Sequence, residues 1–327
     1  MKIAKFLPIY FSGYKTIIVA SPALLLPMLI TASKLQTGKI SKRFIIPCMM
    51  FIFLMAQWLI LDISIVNELA RLIPPLLLFS ISKSIRVSLE EICQVIFYLV
   101  VIDTIYRFAL HPNILFISPV SDLIYSVKNT TTIFFFDSNL TAIYAFFALI
   151  FIKKSLMKII LMICIYYAFS RAVYAMLLIF FLLMLLPEIS QRGRKVLALI
   201  SVPALIYSLS FLLGLLAEDG SGRTKILIME KAFEFLKSNW LLGLGSGEFK
   251  NNFILASHTL IGQLGELGII GITIISLPLL YFLFYSRRKT TYSITAVTII
   301  GGIFGLYPIA YMGFIFLMLD RFEQNDL

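Results

Sequence analysis

Apolar residues fall along this chain in long blocks, without the two-residue alternation of a strand or the one-sided stripe of a surface helix. The blocks lie at 16–32, 43–61, 65–82, 89–110, 139–153, 156–169, 172–187, 195–216, 258–284 and 293–319, separated by short charged or polar stretches. A helix in a soluble protein keeps a polar face, whereas a block of about 20 residues that is apolar all round matches the thickness of a bilayer core. The pattern therefore predicts an all-α polytopic membrane protein of about ten transmembrane helices, in a range of about eight to twelve because boundaries read from sequence are soft. Residues 3–14 offer a further short helix, and 293–319 reads either as one span or as a hairpin broken between Gly305 and Pro308. The chain, 1–327, reads as a single integral membrane domain.

Composition agrees: 60% of the residues are hydrophobic and 14% charged, against roughly 45–50% and about 25% in a soluble domain. The formal charge of +11 raises nucleic acid as a partner. The Lys and Arg residues, however, sit in short clusters between apolar blocks, where insertion orientation and anionic lipid account for them. No nucleic-acid site is expected. Cys48, Cys93 and Cys164 fall inside predicted spans with no paired spacing and no neighbouring His or Asp set. They read as packing thiols, and no metal is expected. Lys2 and Lys5 precede apolar sequence, but Pro8, Pro22 and Pro27 interrupt it and no small-residue cleavage site follows, so the first segment is expected to be retained.

Charge also sets orientation. Lys153, Lys154 and Lys158, then Arg192, Arg194 and Lys195, then Arg287, Arg288 and Lys289 mark alternate loops that are expected to face the cytoplasm. The segment before Asn139, the junction at Arg171 and the loop at 217–257 then share the other side. In that loop Ile226, Met229, Phe233, Leu236 and Trp240 recur at helical spacing, which predicts an amphipathic helix along the membrane interface. Gly243, Gly245 and Gly247 follow it and permit a tight backbone near the membrane.

An ionisable group inside a span costs roughly 2.5–3.5 kcal/mol on insertion scales, so each one has a partner, a watery cavity or a task. Asp103 and Arg107, four apart on one helix face, read either as a mutual ion pair or as a substrate contact. Glu68 and Arg71, three apart, read as structural. Arg171 has no carboxylate within four residues on either side, so its counter-ion comes from elsewhere: a lipid headgroup, or a bound phosphate suited to the planar guanidinium fork. Arg223 opens the loop helix, where free backbone amides and the positive dipole end favour anions, although a solvated loop charge reads equally well. His258 begins a span at the water boundary, as a structural residue or a proton acceptor. Glu266 lies two turns deeper, as a structural hydrogen-bond donor or an acceptor-orienting group, and the series Gly262, Gly265, Gly268 and Gly271 allows close helix packing.

The order Phe-Phe-Phe-Asp137-Ser-Asn139, Ser170-Arg171 between spans, Ser-Gly222-Arg223 with Gly243-Leu-Gly245-Ser-Gly247, then His258 leading into Gly-Glu266-Leu-Gly268, resembles the O-antigen polymerases, with the O-antigen ligases as close relatives. The resemblance covers about Asp103 to Gly271. It implies a cofactor-free, metal-independent, inverting glycosyltransferase of the class C type. Such an enzyme acts at the periplasmic face of the bacterial inner membrane on undecaprenyl diphosphate-linked oligosaccharides, with a chain-length regulator and a flippase as partners. On this resemblance Arg171 and Arg223 hold the diphosphate, His258 takes the acceptor proton, and Arg107, Asp137, Asn139 and Glu266 contact glycan or support the site. Thr259 stands where relatives often carry Asn, which bears on the acceptor side. Polymerase and ligase differ in acceptor only, while a lipid-linked glycan transporter uses similar intramembrane charges.

Overall fold

A computed structural model of the protein describes residues 41–63, 65–84, 88–113, 123–128, 138–188, 190, 192–193, 220–245, 248–249, 259–304 and 312–324. Among them there is no strand. The helices are α1 (Ile45–Leu61), α2 (Val66–Ile81), α3 (Leu89–Leu110), α4 (Leu123–Lys128), α5 (Ser138–Phe151), α6 (Ser155–Tyr167), α7 (Arg171–Leu185), α8 (Gly220–Ser238), α9 (Leu260–Tyr285), α10 (Lys289–Phe304) and α11 (Met312–Gln324). Short 3-10 turns, Lys42–Phe44 and Ser82–Ser84, precede α1 and follow α2.

Three stretches are long and apolar enough to cross a membrane, Lys42–Leu61, Leu89–Leu110 and Leu260–Tyr285, and Ser138–Phe151, Ser155–Tyr167 and Arg171–Leu185 are shorter apolar helices. Their outer faces carry Ile52, Leu59 and Ile60 on α1, Ile105 on α3 and Leu178, Leu182 and Leu185 on α7, all at least half exposed. Water would penalise such a surface by about 25 cal/mol per Å². Hydrocarbon accepts it.

The sequence boundaries hold best where a cap reinforces the apolar block. Ser88 accepts a hydrogen bond from the Glu91 amide while the Glu91 carboxylate accepts one from the Ser88 amide, a reciprocal box that starts α3 at the predicted residue. Within the block at 293–319 the described residues form two helices, α10 and α11, and the expected break between Gly305 and Pro308 lies outside the described residues. The expected helices at 3–14, 16–32 and 195–216 lie outside the described residues.

The contacts divide into two compact units, each assembled from separated stretches of chain: Met1–Phe44, Ala70–Leu178 and Pro308–Leu327 in one, Ile45–Leu69 and Ile179–Tyr307 in the other. At the centre of the first unit α3, α5 and α6 pack together. Ala142, Ala145 and Ala148 of α5 are fully buried, and their small side chains let neighbours approach closely. The residues Ile152–Lys154 turn the chain from α5 into α6, with Lys153 and Lys154 exposed at the tip. A buried clasp lies at this same end. The Arg43 guanidinium meets Asp320 Oδ2 at 2.5 Å and covers the Phe79 ring at 4.4 Å, Ser82 Oγ donates to Asp320, and Arg321 Nη2 donates to the Ser82 carbonyl at 2.6 Å. Phe151, beside the lysine turn, packs its ring tilted against Phe322 at 4.9 Å and so ties the clasp to that end.

In the second unit α9 is the axis on which α1, α8 and α10 pack. The Lys289 ammonium donates to the carbonyls of Met184, at 2.7 Å, in the last turn of α7, and Leu186, just beyond it. A cation at a helix C-terminus satisfies orphan carbonyls and complements the dipole. It also gathers the turn at Arg287–Lys289 and the chain entering the Arg192 loop at one end of the unit.

Candidate functional site

In a continuous helix the Ile269 amide would bond the Gly265 carbonyl and the Ile270 amide the Glu266 carbonyl. Neither bond forms in α9, because Gly268 adopts φ 61° and ψ −173°, a conformation that side-chain-bearing residues rarely reach. The stretch Trp240–Gly245 replaces both bonds from outside. Ile269 and Ile270 donate to the carbonyls of Trp240, at 3.0 Å, and Leu241, at 3.3 Å. In return the amides of Leu244 and Gly245 donate to Gly265, at 2.9 Å, and Glu266, at 3.0 Å. Open backbone is tolerated at membrane depth only where protein satisfies it, and here the inserted turn does so on both sides of the break.

Three side chains fasten the turn. Gln57 of α1, fully buried, donates from Nε2 to the carbonyls of Leu242, at 2.6 Å, and Glu266, at 3.0 Å. Asn239 Oδ1 accepts from the Leu242 amide at 3.2 Å. Glu266, 1% exposed, accepts the Phe249 amide on Oε1 at 3.1 Å. Glu266 thus acts in this contact as an acceptor that anchors the chain leaving the turn, whereas the sequence reading left open a hydrogen-bond donor or an acceptor-orienting group.

The glycine series has two kinds of member. A Cβ on Gly265 would stand 2.8 Å from Ala232 Cα, and one on Gly271 2.6 Å from the Phe53 ring, so both serve helix packing as expected. Gly243 and Gly268 instead carry positive φ and face backbone, and they serve the inserted turn. The amphipathic helix forms as α8, yet its core face is rotated from the expected stripe. Ile228, Ala232 and Phe235 pack with Phe249, while Phe233 and Trp240 are 49% and 56% exposed. Close approach of Ala232 to Gly265 draws that face inward, a contact that hydrophobicity alone does not signal. Arg223 is exposed in the first turn of α8, as the sequence expects.

In the first unit, Asp103 and Arg107 form the ion pair, Nη2 to Oδ2 at 3.7 Å, with Arg107 1% exposed. Thr141 of α5 bridges them: it accepts from Arg107 at 3.2 Å and donates to Asp103 at 3.1 Å. Two turns of helix from Asp103 to the C-terminus of α3 bring the chain to an aromatic cluster. Phe108 packs edge-on to Tyr167 at 5.1 Å, and Tyr167 to Phe169 at 6.3 Å, around buried Val127. Phe169 holds φ 50°, a left-handed conformation that costs a side-chain-bearing residue about 1–2 kcal/mol. Burial of its ring offsets that cost, and the Tyr174 hydroxyl, donating to the Tyr166 carbonyl at 2.5 Å, staples the same corner. The corner delivers buried Ser170 and exposed Arg171 at the start of α7.

Arg107, Asn139 and Arg171 therefore share the end of the first unit opposite the lysine turn, with Asn139 half-buried in the first turn of α5. Arg223 and Glu266 belong to the second unit, at the end away from Arg287–Lys289. Asp137 and His258 lie outside the described residues. Sequence reasoning missed Gln57, Thr141 and Phe169. Gln57 alone had a readable signal, as the one polar side chain in the block Ile45–Leu61. No family model matches the chain, and no curated protein or solved structure matches it either.

Proposed function

We propose that this protein polymerises undecaprenyl diphosphate-linked oligosaccharide repeat units at the periplasmic face of the bacterial inner membrane, as a metal-independent, inverting transferase of about ten spans. The reading rests on the resemblance of the ordered motifs from Asp137 to Gly268 to the O-antigen polymerases. The observation that carries it furthest is polarity within each unit: Arg107, Asn139 and Arg171 in one, and Arg223 with the glycine turn in the other, occupy the end remote from the basic clusters. Positive clusters mark cytoplasmic loops, so the remote ends belong to the periplasmic face in this reading.

The resemblance assigns Arg171 and Arg223 each to the diphosphate, where a guanidinium stabilises the charge that develops as the anomeric bond breaks. His258 removes the proton of the attacking hydroxyl, and displacement in one step inverts the anomeric centre. Asp137 and Asn139 hold sugar hydroxyls or brace an arginine. The ion pair of Arg107 fits a supporting role, since both its charge and its surface are committed inside the unit.

The interruption of α9 favours one competing reading, because secondary transporters use broken helices whose open ends face the substrate. Against it, the two bonds opened at Gly268 are each replaced by Trp240–Gly245. Proteoliposomes supplied with lipid-linked repeat units separate the readings. Lengthened glycan with release of the lipid diphosphate supports polymerisation. A strict requirement for lipid A core indicates ligation, and glycan-lipid movement without bond cleavage indicates transport.

A further inference from the structure

We infer that Gln57 is a positioning residue for the loop that carries Arg223, acting through the inserted turn at Trp240–Gly245; the inference rests on the glycan-transfer reading above. Gln57 lies in α1, a helix otherwise built from apolar residues and Pro47, and is fully buried. An amide in hydrocarbon is costly unless both its hydrogens are used. Both are directed at backbone carbonyls that belong to different strands of one junction: Leu242 at 2.6 Å, within the inserted turn, and Glu266 at 3.0 Å, the residue of α9 to which the Gly245 amide also donates. One side chain thus clamps turn and broken span together from a third element.

The turn in turn fixes α8. Asn239 follows the last residues of α8, its carbonyl accepts the Gly243 amide at 2.8 Å and its side chain accepts the Leu242 amide, so the C-terminal end of α8 is continuous with the clamped turn. Ala232 packed against Gly265 holds the middle of α8 to the same part of α9. Arg223 stands at the other end of α8, so its placement depends on a helix seated at these two points. Gln57 meets the assigned residues at the Glu266 backbone, and its effect on transfer passes through the loop.

The test replaces Gln57 in a background where Trp58→Phe leaves Trp240 as the sole tryptophan, because the chain has only two. Gln57→Met keeps the volume and removes both donors. Gln57→Asn keeps the donors one methylene short and serves if the Met variant does not accumulate in membranes. Expected are a rise in acrylamide quenching of Trp240 and a fall in kcat for chain lengthening of about 10²-fold, the scale of a roughly 1 Å misplacement of a charge-stabilising group. The KM for the lipid-linked unit is expected to change far less, because the Arg223 contact strengthens as charge develops in the transition state. Unchanged Trp240 quenching in both variants overturns the clamp, and increased quenching with unchanged kcat overturns its role in positioning. If the parent protein does not lengthen glycan at all, the transfer reading fails, and the positioning role fails with it; Trp240 quenching still separates that result from failure of the clamp.

Discussion

Gly243 and Gly268 stand back to back: a Cβ on Gly243 would come within 2.6 Å of the Gly268 amide nitrogen, and a Cβ on Gly268 within 2.6 Å of the Gly243 nitrogen. Each has a positive φ, 73° and 61°, and each meets backbone that cannot move aside without breaking the replacement bonds. Gly268→Ala is therefore expected to lower stability by about 3 kcal/mol or more, combining backbone strain with the clash. Gly271→Ala is expected to cost less, since its nearest neighbours are the Phe53 ring and the Leu267 side chain. Thermal unfolding of the detergent-solubilised variants checks the order, and equal midpoints for the two would contradict it.

The buried pair Asp103 and Arg107 separates support from substrate contact. Arg107→Ala removes the charge opposite a buried carboxylate, an expected loss of about 3–5 kcal/mol. Asp103→Leu combined with Arg107→Met removes both charges and is expected to be milder than the single Arg variant. Retained chain lengthening in the double variant would establish that the pair is structural. Its complete loss in a protein as stable as the parent would assign Arg107 to the substrate.

For the diphosphate assignment, Arg171→Ala and Arg223→Ala are each expected to abolish long glycans while the protein remains inserted, with Lys a poor substitute because an ammonium lacks the planar fork. His258→Ala is expected to reduce turnover more than donor binding. Glycan length on gels and binding of labelled donor to purified protein measure the two effects. Normal polymerisation by both arginine variants would remove the assignment.

Much of this arrangement was legible because lipid imposes a simple rule on sequence. Apolar blocks gave the described helices, the Ser88 box gave the start of α3, and the charged Arg171 between two apolar blocks marked the α6–α7 corner. What escaped depends on partners distant in the chain. Gly268 looks like its neighbours in the glycine series until Trp240–Gly245 is docked against it, and nothing local to Ala232 says that it faces Gly265. Phe169 has a side chain that argues against a left-handed corner, and the surrounding rings with the Tyr174 hydroxyl hold it there.

The exposed pair on α8 behaves differently from the buried one. Lys231 meets Glu234 at 2.7 Å, and this hydrogen bond, followed by the charge of Lys231, holds the Glu234 carboxyl below its ordinary value. A lowered folded-state value means that any support is present above the ordinary glutamate range and fades as pH falls through the lowered one. Because the pair is open to solvent, Glu234→Gln is expected to leave the unfolding midpoint unchanged from neutral pH down to about pH 4. A midpoint that drops at neutral pH would show that the pair carries more than an exposed contact should.

The junction at Gly268 also orders the making of the protein. Its parts come from Gln57, from Trp240–Gly245 and from Gly265–Ile270, so more than half of the chain separates the first contributor from the last. While the ribosome is still at work on the intervening residues, the Gln57 amide waits in α1 without the carbonyls it will clamp. Sealing of the helix break is consequently a late event of biogenesis, and a nascent chain halted before Gly265 carries the glycine turn with nothing to receive it.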